Sequence, residues 1–249
     1  MTPNPMREAL LAARGDDPLV RWSVADRTDG ELSLSNGLLV VGRNVAWRGR
    51  ASRPGEHWVT GLGDEPKVVA SLVAELAAQG RTDGITISEN AFTSLPSALQ
   101  SPDPGHWSYW TRAASPHGRN PQGAHKLDPQ DSRIDGLLGH SNSAHVFPGD
   151  ERFVAWYGVE EGGQLQAVAA RMKEPSGAAH LVSVCTDPVS RGKGLAARVC
   201  ARALLDAIED GAPILVLEMY VANEAGRALY TRLGFREQGR YLSGLLAGT

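Results

Sequence analysis

The sequence predicts an α/β (α+β) protein in which strands and helices alternate along the chain. Three observations carry this expectation. Strand-like runs at 152–158 and 164–170 flank Glu160-Glu161-Gly162-Gly163, a hairpin signal. A glycine-bearing loop at 187–194 leads from a third strand-like run, 179–185, into apolar residues at helical spacing. In the N-terminal half, a helix-period stretch at 66–78 lies between short strand-like runs.

Size and charge narrow the class. The chain has 249 residues, enough for one large domain or two smaller ones, and can bury a core without staples. Its net charge is −3, so bulk charge gives no sign of a nucleic-acid binder. No apolar run approaches the roughly 20 residues that span a bilayer. The opening Met1–Arg7 leads into a polar-flanked stretch unlike a secretory signal, so a cytoplasmic protein without membrane or nucleic-acid partners is expected. Cys185 and Cys200 form no C-x-x-C and sit in apolar patterns, which argues for inert core thiols and no metal site.

In the N-terminal part, Leu38–Val41 reads as a buried strand. Asp64 suits a helix N-cap and Pro66 an early helical position. Val68, Val69, Leu72, Val73 and Leu76 then follow at helical spacing until Gly80. Ile85–Ser88 reads as a strand, Leu95–Leu99 as a short helix, and the aromatic run Gly105–Arg112 as the unit's last strand. Prolines between Ser97 and Asp131 mark a boundary. The expected partition is an N-terminal α/β unit at 1–113, a linker at 114–127 and a C-terminal domain at 128–249.

The C-terminal part is more regular. Beyond the loop, Leu195, Ala196, Val199, Cys200, Ala203, Leu204, Ala207 and Ile208 make an amphipathic stripe, with Arg198, Arg202, Asp206 and Glu209 off it. Gly211 ends this helix. Ile214–Tyr220 reads as a strand, Glu224–Leu233 as a helix, and Arg240–Gly244 as a final strand.

Arg191-Gly-Lys-Gly-Leu-Ala196 joins a strand to a helix N-terminus, and that is an anion cradle. The first turn leaves N–H groups unpaired, and the macrodipole adds partial positive charge. Gly192 and Gly194 let the backbone approach a ligand, and Arg191 and Lys193 add charge, so phosphate or pyrophosphate is the natural guest. A Walker A loop is excluded, because Lys193 precedes Gly194 and no Ser or Thr follows. A dinucleotide fingerprint lacks its downstream acidic residue and sits too late in the chain.

The loop resembles the pyrophosphate motif [R/Q]-x-x-G-x-[G/A] of the GNAT acyltransferase superfamily. The segment Asn223-Glu-Ala-Gly-Arg-Ala-Leu-Tyr-Thr-Arg-Leu-Gly-Phe235 is similar to a second motif of that superfamily, in the right order. Gly226 stands where the second motif often has Ala. The resemblance spans 133–244. It implies a GNAT-like mixed, mostly antiparallel twisted sheet flanked by helices, with the smaller α/β unit ahead of it.

It also implies an acyl-CoA-dependent N-acyltransferase, with acetyl-CoA as cosubstrate and direct attack by a primary amine. Val182, Val184 and Thr186 would line the pantetheine arm with their backbone. Arg191, Gly192, Lys193, Gly194, Leu195 and Ala196 would hold the pyrophosphate, and Asn223 would touch the cofactor. Backbone N–H groups near Val184 would polarise the thioester carbonyl, and the amine would enter near Ser183 and Glu218. Tyr230 would act as general acid; Glu218 and His180 are candidate bases. Cys185 lies near the expected thioester, but direct transfer uses no protein nucleophile. The acceptor is expected to be a small-molecule amine, with a protein amine as the alternative, and a homodimer is left open. The rival reading is a non-catalytic module of the same fold that senses coenzyme A or a metabolite. His140, His145 and the loop to Gly149 would shape the acceptor side and are too far from acidic partners to bind metal. The N-terminal unit has a similar element order but no such loop, since Val59–Pro66 is acidic. It reads as a degenerate acyltransferase-like unit whose tryptophans (Trp22, Trp47, Trp58, Trp107, Trp110) would pack its core or line an acceptor pocket.

Overall fold

The computed structural model describes residues 5–24, 37–50, 55–115, 121–141, 143–144, 146–150 and 153–247. His145 and the first residue of the expected 152–158 strand lie outside them. The chain forms two compact units, one of residues 1–109, 219–222 and 238–249, the other of residues 110–218 and 223–237. This differs from the expected partition. The final strand, placed by sequence in the C-terminal domain, falls largely in the first unit. Residues 124–127, expected as linker, form a strand.

The first unit contains α1 (Pro5–Arg14), β1 (Leu38–Val41), β2 (Asn44–Arg50), β3 (His57–Leu62), α2 (Pro66–Ala78) and β4 (Gly84–Ser88). Strands β1, β2 and β3 form an antiparallel meander, and β3 pairs with β4 in parallel across α2. The helix buries Val69, Leu72, Val73 and Leu76 against Ala46, Val59, Ile85 and Ile87, as its period requires. β1 is an edge strand rather than a buried one: Leu38 is buried, but Val40 and Val41 are exposed. In place of the expected 95–99 helix, 3₁₀ turns span 89–94 and 97–99. Of β5 (Gly105–Ala113), residues 105–109 belong here. The final strand, β11 (Arg236–Leu245), is longer than expected. It runs antiparallel to β4, from Tyr241 opposite Ser88 to Leu245 opposite Gly84. Trp107 Nε1 donates to Ser243 Oγ at 2.8 Å, and its ring lies 4.6 Å from that of Tyr241. Trp107 therefore packs within the unit.

The second unit contains β6 (Ala124–Leu127), α3 (Arg133–Leu138), β7 (Phe153–Glu161), β8 (Gln164–Lys173), β9 (Ala179–Thr186), α4 (Leu195–Glu209), residues 214–218 of β10 (Ile214–Tyr220) and α5 (Glu224–Arg232). Its sheet runs β10-β9-β8-β7-β6, antiparallel except for the β10–β9 pair. Alternation along the strands splits the side chains between two helical layers. Trp156, Val168, Ala170, Met172 and Val182 pack with Ile134, Leu137 and Leu138 of α3. Tyr157 and Arg171 turn to the other face, where Arg171 pairs with Asp210 just after α4. Asp206 departs from the expected amphipathic pattern. It is buried beneath α4, paired with Arg202 and with Lys126 of β6 at 2.9 Å. The charge of edge strand β6 is what allows that inward carboxylate.

Candidate functional site

The loop at 187–194 joins β9 to α4, where the sequence places a strand-to-helix step. Asp187 accepts a hydrogen bond from Val189 N at 2.9 Å, which turns the chain out of β9. Ser190 is buried and bonds to Gln166 of β8, so the base of the loop is fixed to the sheet. Residues Arg191 to Gly194 are exposed. Gly192 and Gly194 have φ of +79° and +77°, a region L-residues rarely adopt, and a Cβ at either would meet nothing within 4 Å. Gly194 is the N-cap of α4, and no side chain caps it. The first N–H groups of α4, at Leu195 and Ala196, are left for an outside acceptor. Lys193 Nζ lies 3.2 Å from Ser190 Oγ, beside the same opening. Open space, free amides and two cations fit a pyrophosphate.

Beside the cradle the sheet opens. β9 and β10 pair only at Leu215–Ala179 and Val216–His180. Beyond these residues, Leu181–Thr186 of β9 and Leu217 and Glu218 of β10 run on without pairing to each other. A bulge adds to this. Val168 lies opposite Cys185 and Ala170 opposite Val182, so Ala169 faces both Ser183 and Val184. Ser183 has φ +48° and is the sole non-glycine residue with positive φ among the described residues. Neither the splay nor the bulge has a sequence signal; Ser183 is not a residue type that announces positive φ.

The proton-handling candidates divide between the two faces. The parallel register puts His180 beside Val216, and alternation puts Glu218 on that same face, the one covered by α3. Glu218 is exposed next to the splay. His180 is buried, with Nδ1 2.7 Å from the buried Glu174 Oε1. Tyr230 is buried on α5, its ring 6.1 Å from that of Phe235. Burial pushes the Tyr230 phenol well above the usual range for tyrosine, and the neighbouring Cys200 thiol adds to the rise, so the phenol stays protonated. Burial raises both cysteines as well, Cys200 to about 12. The Cys185 thiol donates to Leu137 O at 3.2 Å, as expected of an inert core thiol.

Asn223 is the N-cap of α5, and its Oδ1 accepts from Gly226 N at 2.8 Å. A Cβ at Gly226 would lie 2.5 Å from Asn223 Nδ2, so a larger residue there would make the capping side chain shift. His140 is exposed at the end of α3. Among the described residues, no group of His, Cys, Asp or Glu is placed to hold a metal ion.

The first unit has the same strand–loop–helix step, from β3 into α2, but there it is closed. The N-cap is Glu65, not Asp64, with Pro66 as the first helical residue. The amides of Asp64 and Glu65 both donate to Asn44 Oδ1, at 3.1 and 3.0 Å, and Asn44 is buried. A Cβ at Gly63 would come within 2.3 Å of that oxygen. Asp64 carries the wrong sign for an anion site and is itself paired with Arg14 and Arg43. Asn44 thus takes up the two amides that lead into α2.

A helix N-terminus without a side-chain cap, a basic glycine loop and a strand pair that diverges beside it make a site suited to an anionic, extended ligand. Comparison with known proteins bears on the fold. Residues 156–242 match the family model described as FR47-like protein. The chain is similar in structure to a GNAT-family protein from Novosphingobium aromaticivorans, at 24% identity over 86% of this chain and 92% of that one, with a TM-score of 0.56. It is also similar to GCN5-related N-acetyltransferases from Kribbella flavida (15% identity, 99% and 97% covered, TM-score 0.54) and Sphaerobacter thermophilus (13%, 96% and 93%, 0.54). None of the curated proteins matches the sequence. The fold of this chain is the one these GNAT-family structures share, and the FR47-like match lies within its C-terminal part.

Proposed function

We propose that the protein is an acyl-CoA-dependent N-acyltransferase that uses acetyl-CoA and a small-molecule primary amine. The observation that carries this reading is the open, basic, uncapped N-terminus of α4 beside the splayed β9 and β10. The amides of Gly192 to Ala196, with Arg191 and Lys193, hold the pyrophosphate. The backbone of Val182, Val184 and Thr186 aligns the pantetheine arm, and the bulge aims an N–H at the reacting carbonyl. The cosubstrate supplies the activated thioester. Glu218, exposed beside the splay, accepts the proton of the incoming amine; His180 is committed to Glu174 and serves the core. Tyr230, held protonated by burial, gives its proton to the departing sulfur. Asn223 shapes the start of α5 next to this path. The first unit is a closed relative of the second, so one cofactor binds per chain. Soluble cytoplasmic residence belongs to the same proposal; among the described residues, no helix is long and apolar enough to cross a membrane.

Calorimetric titration with coenzyme A and acetyl-CoA tests the reading. One site per chain is expected, followed by thiol release in an amine screen. Binding of neither ligand refutes the proposal. Binding without turnover in any screen favours a sensor of coenzyme A over an enzyme.

A further inference from the structure

We infer that Ser183 is a positioning residue that couples the cofactor seat to the acceptor-side segment 146–150. The inference rests on the acyltransferase reading, but its first observable does not. Ser183 sits in the bulge of β9, the one place where a non-glycine residue among the described residues has positive φ. That conformation is costly for an L-residue. Glycine would take it freely, so serine at this position calls for a use of its side chain.

The use is a two-point tie. Ser183 Oγ donates to Val146 O at 2.8 Å and accepts from Val146 N at 3.3 Å. One hydroxyl satisfies both backbone groups of a residue that no strand pairs, and Val146 is buried against the α3 cluster. The segment is thereby pinned to the bulge on the face that carries Glu218. Phe147 follows Val146 directly and is half-exposed. Its neighbours in the chain turn at Asp150, whose N–H donates to Phe147 O at 3.2 Å. The bulge that presents an N–H to the thioester is therefore also the anchor of the wall past which the amine arrives. Filling the cofactor seat restrains the bulge, and through Ser183 it restrains segment 146–150.

Hydrogen exchange read by mass spectrometry, with coenzyme A as the probe, tests this. Ser183→Gly keeps the positive φ and removes only the tie. Without ligand, peptides covering 146–150 should exchange at least about tenfold faster in this variant, while β7 and β8 are unchanged. A general loss of stability would raise exchange in β7 and β8 alike. The variant should bind coenzyme A within about threefold of the wild type, yet coenzyme A should slow exchange at 146–150 only in the wild type. Ser183→Val cannot hold the bulge and should lose coenzyme A binding as well. Three results overturn the inference: unchanged exchange at 146–150 in Ser183→Gly, equal protection by coenzyme A in that variant and the wild type, or a loss of affinity in Ser183→Gly as large as in Ser183→Val. If the wild type itself fails to bind coenzyme A, the acyltransferase reading fails, and the unliganded comparison still decides whether the tie exists.

Discussion

Gly192→Ala separates backbone strain from ligand contact. Gly192 has φ +79°, is exposed, and offers open space where a Cβ would sit, so alanine meets no protein atom. The folding cost is then the left-handed backbone alone, about 1–2 kcal/mol. For a chain of this size that lowers the melting temperature by roughly 2–8 °C. Binding should suffer separately. A methyl group on the concave side of the loop displaces a phosphate oxygen from at least one N–H. A hydrogen bond to a charged acceptor is worth about 1.5–3 kcal/mol, so coenzyme A should bind about ten- to a hundredfold more weakly. Gly211→Ala is the matched control: φ +76°, open space for a Cβ, and a position past the far end of α4. It should lower the melting temperature as much and leave the affinity alone. Differential scanning calorimetry and isothermal titration on the two variants read both quantities. If Gly192→Ala binds coenzyme A within twofold of the wild type, the backbone at 192 does not approach the ligand and the cradle argument is wrong.

Other perturbations probe other parts of the structure. Tyr230→Phe should cut thiol release about 10²- to 10⁴-fold, the usual reach of a general acid, with coenzyme A affinity retained; equal turnover would remove Tyr230 from the reaction. Asp206 is held below the usual carboxylate range: burial alone would raise it, but Lys126 and Arg202 overcome that. A carboxylate lowered on folding stabilises the protein above its unfolded value near ~4, and the contribution fades as pH falls through the folded value. Denaturant midpoints of Asp206→Asn should accordingly show a shallower fall than the wild type below about pH 4, and parallel curves would contradict this. Asn44→Ala leaves the amides of Asp64 and Glu65 unpaired in the first unit, and should cost about 1–3 kcal/mol of stability. It should add no second coenzyme A site, because Asp64 still repels an anion; a measured stoichiometry of two would refute the account of the closed loop.

How much of this was legible in the sequence follows from the range of the forces involved. The helix at 66–78 and the strands β7, β8, β9 and β10 announce themselves by period, because their apolar faces repeat within a few residues. Strands β2 and β3 do not. Their runs are broken by Arg48, Gly49 and Gly61, and their stability comes from pairing with each other and from α2 packing over them. The short elements β6 and α3 were lost among prolines and polar residues. Asp206 looked like a solvent-facing helix residue, because the lysine that meets it lies eighty residues earlier in the chain.

What the sequence determined by itself is the cradle. Six consecutive residues, Arg191 to Ala196, set the glycine conformations, the charge and the helix start, and all of that is local backbone chemistry. Only the tertiary structure decided which strand–loop–helix step stays open. Asn44 closes the step at 63–65 from twenty residues away, and no side chain does so at 192–194. Only the tertiary structure, too, separated β9 from β10 and bent β9 at Ser183, since strand divergence and bulges are set by register between segments distant in the chain. The return of residues 238–249 to the first unit has the same origin: β4 offers an unpaired edge, and the hydrogen bonds that fill it join residues about 150 positions apart.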